Sequence, residues 1–182
     1  MLKTGIEIED DLFVESNGYD GAFEKVRRAG FDAVDYQSIA TGNKINKMAK
    51  EDAFKELSLM RKAAENNGVE FSQTHGLWPV DDTTEESRKA NFPNYVKNIE
   101  YTSALGCKNL VLHPILPMSW RGEISEEDTL SLNVDYFSKL LPVAKDNGVR
   151  ICIENLPFVN VSISYMENVK KVVRTIDDEH VA

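Results

Sequence analysis

Several side chains able to do chemistry share one setting in this chain, the point where a short apolar run gives way to a polar loop. Glu154 closes the run Ile151, Cys152, Ile153, and Asn155 follows it. A carboxylate in that setting is costly to bury without a metal, a cation or several donors. Its structural use would be as partner of a lysine or a helix N-terminus. His113 closes Leu110, Val111, Leu112, and His75 lies in SQTHGLWP, between a strand and a loop. An imidazole there can orient a hydroxyl, move a proton or bind a metal. It can equally be a strand-end or turn histidine bonded to a backbone carbonyl. Other run ends carry Glu7 and Glu9, Asp35 and Gln37, and Gln73. Asp35 and Glu7 read as readily as structural hydrogen-bonding residues. Trp78 and Trp120 fall in the loops after His75 and His113, where rings either wall a sugar-sized pocket or pack as lids. His75, His113 and Glu154 together form a donor set that suits zinc or manganese. Three sites are not a four-ligand cage, and there is no HxH, HExxH or cysteine cluster. His180 has no periodic context and is assigned no role.

The elements that must hold these residues follow a repeated grammar. Gly30, Gly68, Gly106 and Gly148, spaced 38, 38 and 42 residues apart, each stand between a helical pattern and a short run rich in β-branched residues. Glycine supplies the left-handed residue that closes a helix. The runs suit strands buried on both faces, as in a parallel sheet. Between them lie apolar stripes at helical spacing: Phe54, Leu57, Met60, Ala64; Phe92, Val96, Ile99, Leu105; Leu130, Val134, Phe137, Leu141, Ala144; and Met166, Val169, Val173, Ile176. Strands are predicted over 4–8, 33–37, 70–73, 109–113 and 150–154. Helices are predicted over 20–29, 51–67, 91–105, 128–147 and 165–176. In the first helix Asp20 is the candidate cap, with Phe23 and Val26 facing inward. Ser164 and Glu167 are placed as a capping box for the last. Pro93 is placed in a first turn, and Pro142 lies inside its stripe as a candidate kink. Val181 and Ala182 read as the first residues of a sixth strand.

This pattern makes the chain α/β, with two architectures in view: a (β/α)8 barrel of the TIM type and a doubly wound sheet. The sequence after the first strand is EIEDDLF rather than GxGxxG, and no phosphate-binding GxxxxGK[ST] occurs, so a nucleotide fold loses ground. Eight units need about 250 residues. The 182 present hold five units and the start of a sixth strand, expected to form one partial barrel domain over 1–182. A fragment of a longer barrel is favoured over an open five-stranded array that shields its edges another way.

Thirty acidic against 21 basic residues leave a net charge of −9, which weighs against a nucleic-acid partner. No stretch reaches 18 apolar residues, and the opening MLKTGIEIED lacks the apolar core of a signal peptide. A membrane partner is therefore not expected. Cys107 and Cys152 form no CxxC pair or disulfide framework, so a reducing cytoplasm is the expected location.

The segments KTGIEI, AGFDAVD, QTHG, VLHP and above all VRICIENLP resemble the xylose isomerase-like barrel superfamily. That group includes sugar phosphate isomerases and epimerases, ketose 3-epimerases, inosose dehydratases and endonuclease IV-like enzymes. The resemblance covers essentially the whole chain but only the first five of the family's eight units. It implies that Glu154 is a ligand of a divalent metal (Mn2+, Mg2+, Co2+ or Zn2+) and takes part in proton transfer. It implies that the positions of His75 and His113 line the substrate site, or carry metal ligands in the endonuclease branch. Trp78 and Trp120 would fall in loops that contact substrate, and Asn155, Glu7 and Gln37 complete the expected substrate-binding set. The family's other ligands follow the sixth, seventh and eighth strands and have no positions here, so full activity is not expected of these residues alone.

The leading expectation is therefore a sugar or sugar-phosphate isomerase or epimerase. It would use a divalent metal and an enediolate intermediate on a small carbohydrate. The alternatives are an endonuclease IV-like metal-dependent phosphodiesterase and a non-catalytic truncated barrel. An open array predicts a homo-oligomer or partner strands at its C-terminal side.

Overall fold

The computed structural model describes residues 3–39, 44–78, 84–116 and 124–182. Five strands, β1 (Gly5–Ile8), β2 (Ala33–Tyr36), β3 (Glu70–His75), β4 (Asn109–Leu112) and β5 (Arg150–Ile153), form one parallel sheet in sequence order. The helices are α1 (Asp10–Glu15), α2 (Tyr19–Arg28), α3 (Lys44–Lys47), α4 (Lys50–Asn66), α5 (Glu85–Ala104), α6 (Glu126–Asn147) and α7 (Met166–Ile176). A 3-10 turn at Ser162–Ser164 precedes α7. The order is that of a partial (β/α)8 barrel. Val181 pairs in parallel with Ile151, and Ala182 exchanges backbone bonds with Ile151 and Ile153, where the sixth strand was expected. None of the described helices is long and apolar enough to cross a membrane.

All four predicted glycines have positive φ, from 61° at Gly148 to 93° at Gly30, as helix closers require. The boundaries differ more. Helix α5 begins at Glu85, capped reciprocally by Thr84 and Ser87, so Pro93 lies inside it rather than in its first turn. That opening turn is polar and carries no stripe to reveal it. Helix α6 begins at Glu126, with Ser125 Oγ accepting from the Asp128 amide. The capping assignments at Asp20 and Ser164 do not hold. Gly18 precedes α2, Asp20 sits in its first turn, and Tyr165 precedes α7 without a side-chain cap. Ser164 is instead buried in the 3-10 turn. The short helices α1 and α3 were not anticipated.

The core lies between the sheet and the helices. Val34, Tyr36, Phe71, Leu110, Leu112, Ile151 and Ile153 point into it and meet Phe23, Leu57, Ile99, Phe137 and Leu140 from the helices. Tyr36 and Phe71 pack edge-on at 6.2 Å, Phe23 on Phe71 at 5.6 Å and Phe13 on Tyr36 at 5.9 Å. The opposite face receives the alternate residues, Asp35 on β2 and Cys152 on β5. On β3 the alternation is reset. Val34 pairs with Phe71, but Asp35 pairs with Gln73, leaving Ser72 as an extra residue whose Oγ donates to Val34 O (2.9 Å). A bulge of this kind re-aims the side chains beyond it. It sends Thr74 to the helices, against Thr102 (2.7 Å), and puts Gln73 and His75 beside Asp35.

Candidate functional site

At the carboxyl ends of β2 to β5 the inner-face side chains meet. His75 Nε2 and His113 Nε2 each lie 3.3 Å from the same oxygen, Glu154 Oε2. On the other side of His75, Nδ1 lies 3.0 Å from Asp35 Oδ1 and 2.7 Å from Gln37 Nε2. Gln37 and Gln73 both donate to Asp35 Oδ2, at 3.1 and 2.9 Å. A continuous polar chain therefore runs Gln73, Asp35, His75, Glu154, His113 across four adjacent strands. The Glu154 side chain is 50% exposed, the two imidazoles 15% and 9%. Solvent thus reaches the cluster at Glu154.

The two histidines differ in charge preference. Burial works against the charged form of His75, but the hydrogen bond and charge of Asp35, followed by those of Glu154, outweigh it. His75 holds its proton to higher pH than an ordinary histidine. For His113 burial dominates. The Glu154 charge opposes it without overcoming it, and the ring stays neutral to lower pH than usual. His113 Nδ1 is buried without a hydrogen-bond partner among the described residues. Trp78 covers that ring edge-on, with centroids 4.2 Å apart, and Phe158 from the loop after β5 meets Trp78 at 6.5 Å.

The strand exits are pinned by a device the sequence reading did not find. Asn98 of α5 is fully buried. It accepts from Leu77 N (2.9 Å) and donates to Ile39 O (2.7 Å), so one amide ties the chain two residues beyond both His75 and Gln37. Asn133 of α6 repeats this for His113, accepting from Ile115 N (2.8 Å) and donating to Ile115 O (3.1 Å). Asn168 of α7 donates to Ser162 O (2.8 Å) in the segment after β5. The three asparagines are spaced 35 and 35 residues apart, a signal visible in the sequence as buried-type positions carrying amides. Gly76 belongs to the same device. A Cβ there would stand 2.4 Å from Leu112 Cδ2 and 3.0 Å from Asn98 Oδ1, so the chain beyond His75 can run this close to α5 only as glycine.

Of the expected site residues, Glu154, His75, His113, Gln37 and Trp78 are brought together. Glu7 pairs in register with Asp35 on the adjacent strand and is exposed. Asn155 follows Glu154 and is half-buried. Trp120 lies outside the described residues. Asp35 and Gln73, noted only as strand-end residues, prove to be the inner support of His75. Phe158 was not anticipated. His180 sits at the other end of the sheet, beside Asp178. A groove of about 660 Å3 between α5 and α6, lined by Phe92, Leu132 and Tyr136 among others, contains none of the cluster.

Two imidazoles and a carboxylate are the right donor types for a transition metal. Among the described residues, however, no group of three His, Cys, Asp or Glu side chains is disposed to hold one. The observed contacts are those of a hydrogen-bonded cluster, with Glu154 Oε2 standing between the two rings.

A family model described as xylose isomerase-like TIM barrel matches residues 23–182. Among solved structures, a D-psicose 3-epimerase crystallised in the presence of D-fructose is similar with a TM-score of 0.74 at 20% identity. The match covers 99% of this chain and 62% of that one. A 3-keto-D-glucoside 4-epimerase from E. coli, YcjR, gives 0.74 at 16%, covering 100% of this chain and 66% of that one. The IolI protein with a bound zinc atom gives 0.73 at 17%, covering 100% and 61%. The chain thus spans less than two thirds of each of these structures, and at such identities the likeness establishes the fold. No curated protein matches the sequence.

Proposed function

The chain belongs to the xylose isomerase-like TIM barrel family, and on that footing we propose that it forms part of a sugar isomerase or epimerase acting by proton transfer next to a carbonyl. One observation carries the reading: His75 Nε2 and His113 Nε2 converge on Glu154 Oε2 at adjacent strand exits. Glu154 is the half-exposed carboxylate of the cluster and the natural base. It takes a carbon-bound proton from a ketose or aldose, leaving an enediolate. His75 and His113 present nitrogens to the sugar hydroxyls, one ring favouring the charged form and the other the neutral form. Trp78 offers an aromatic wall to the apolar face of the sugar. Glu7 and Asn155 are assigned to substrate contact beside Gln37, Trp120 is assigned to it on the family resemblance alone, and the partner is a small carbohydrate.

The proposal includes a divalent ion (Mn2+, Mg2+, Co2+ or Zn2+) with Glu154 as one ligand, because the zinc-bound IolI structure shares the fold. The described residues do not complete such a set, and no step above runs through it. The test is exchange of a carbon-bound proton with deuterated water, followed by NMR over a panel of ketoses and aldoses with the full gene product. Glu154→Gln is expected to slow exchange about 10²- to 10⁴-fold. No exchange by the wild type on any sugar, or an unchanged rate in the variant, defeats the reading.

The same convergence gives a second reading, a phosphodiesterase of the endonuclease IV-like kind. The net charge of −9 opposes it. Salt-sensitive retardation of a DNA duplex by the protein would revive it.

A further inference from the structure

What His75 can do depends on which ring nitrogen keeps the proton, and its neighbours compete to decide. A proton on Nδ1 donates to Asp35 Oδ1, 3.0 Å away, but cannot coexist with donation from Gln37 Nε2, 2.7 Å away, and it sets the Nε2 lone pair against Glu154 Oε2 at 3.3 Å. A proton on Nε2 donates to Glu154 Oε2 at 3.3 Å and lets Gln37 donate to Nδ1, but it sets the Asp35 oxygen against a lone pair. Turning the Gln37 amide over would move its oxygen against Asp35 Oδ2 (3.1 Å), which exchanges one conflict for another.

Three differences favour Asp35. Its contact is the shorter of the two carboxylate contacts. Its side chain is 19% exposed against 50% for Glu154, so its charge is screened less. It is also held in place, because Gln73 Nε2 donates to Oδ2 at 2.9 Å. Glu154 is shared with His113 and faces solvent. A charge-assisted bond to a fixed, sheltered carboxylate outweighs a neutral amide donor.

We propose that Asp35 is the positioning residue of His75, holding the proton on Nδ1 so that Nε2, on the Glu154 side, is left unprotonated and open to accept from a ligand. Gln73 is the brace of Asp35. Gln37 keeps its bond to Asp35 and yields at Nδ1. In the neutral ring Nε2 is then an acceptor for a ligand hydroxyl. That use rests on the functional reading above, whereas the tautomer itself does not.

The experiment is 15N NMR of the full chain labelled at histidine, at alkaline pH where the rings are neutral. His75→Gln identifies the resonances by their loss. The wild type is expected to show His75 protonated at Nδ1 and unprotonated at Nε2. Asp35→Asn keeps the size, removes the charge and offers an N–H to Nδ1, and it is expected to invert the two resonances. Gln37→Leu is expected to leave the wild-type pattern. An Nε2-protonated ring in the wild type overturns the proposal, as does an unchanged pattern in Asp35→Asn. If Asp35→Asn fails to fold, the wild-type spectrum decides alone. An Nδ1-protonated His75 in a protein that exchanges no sugar proton defeats the functional reading and leaves the role of Asp35 standing.

Discussion

The two faces of the sheet are built by different rules, although they share the same strands. Along β2, Val34 and Tyr36 enter the helix-covered face, where Tyr36 meets Phe13 and Phe71, while Asp35 between them enters the other. On the helix side, side chains are chosen by volume and fit. On the inner side, at the carboxyl ends of the strands, they are chosen by what they donate and accept, although Val111 and Cys152 keep the middle of that face apolar. Polar residues occur on both, but in different states. Thr74, Asn98 and Asn133 are fully buried on the helix side and hydrogen-bonded within the protein. On the inner side, Glu154 is half exposed and His113 Nδ1 is buried without a partner. The helix side is not free of unpartnered groups, since Tyr101 Oη is also buried without a hydrogen-bond partner among the described residues, but only the inner side combines such a group with a carboxylate open to solvent at Glu154.

The sharpest test of this division sets stability against turnover. Phe137→Ala empties a fully buried position and is expected to cost about 3–5 kcal/mol in chemical denaturation. Glu154→Gln, on the other face, is expected to change stability by less than about 1 kcal/mol while removing the proposed proton transfer. Comparable stability losses in the two variants would mean that the inner cluster is a structural network after all.

Next in size are the clamps that join the faces. Asn133→Leu keeps the bulk but leaves Ile115 N and O unpaired in a buried loop, at a cost of about 1–3 kcal/mol for each group left unsatisfied. Gly76→Ala pushes a methyl onto Leu112, itself fully buried, and onto Asn98, and is expected to cost about 1–3 kcal/mol. Both variants should also disturb the neighbouring histidine, read as a moved His113 or His75 resonance. A stable Gly76→Ala protein with unmoved histidine resonances would show that this loop does not set the position of His75.

How much of this was legible in the sequence follows the same division. The helix-covered face declared itself through apolar stripes and four helix-closing glycines, because packing repeats with the period of the element. The five strands and the pairing of Val181 were readable on that basis. His75, His113 and Glu154 were readable as site candidates because each breaks an apolar run at its end. The support of His75 was not. Asp35 looked like an ordinary strand-end carboxylate, since its value lies in a contact 40 residues away that only the bulge at Ser72 creates. Helix starts at Glu85 and Glu126 were hidden because capped polar turns carry no stripe. The clamps Asn98, Asn133 and Asn168 are hidden in the sequence because amides on buried helix positions interrupt the apolar stripe that marks the inward face.

The smallest expected effect separates the two histidines by pH. The ordinary histidine value is about 6.5. His75 is raised in the folded protein by Asp35 and Glu154 against the effect of burial. Its contribution to stability is therefore fully present below the ordinary value and is lost as pH rises through the raised one. His113 is lowered by burial, so it acts in the opposite sense. Folding favours its neutral form, and stability falls as pH drops through the ordinary value towards the lowered one. The two declines lie on opposite sides of the ordinary value, so the wild type should be most stable near it and lose stability on either side. Urea unfolding of His113→Gln across that range should lose the acid-side decline, and His75→Gln should lose the decline on the alkaline side. Identical pH profiles in the two variants would show that the rings share one environment, and the asymmetry across Glu154 Oε2 would fall with them.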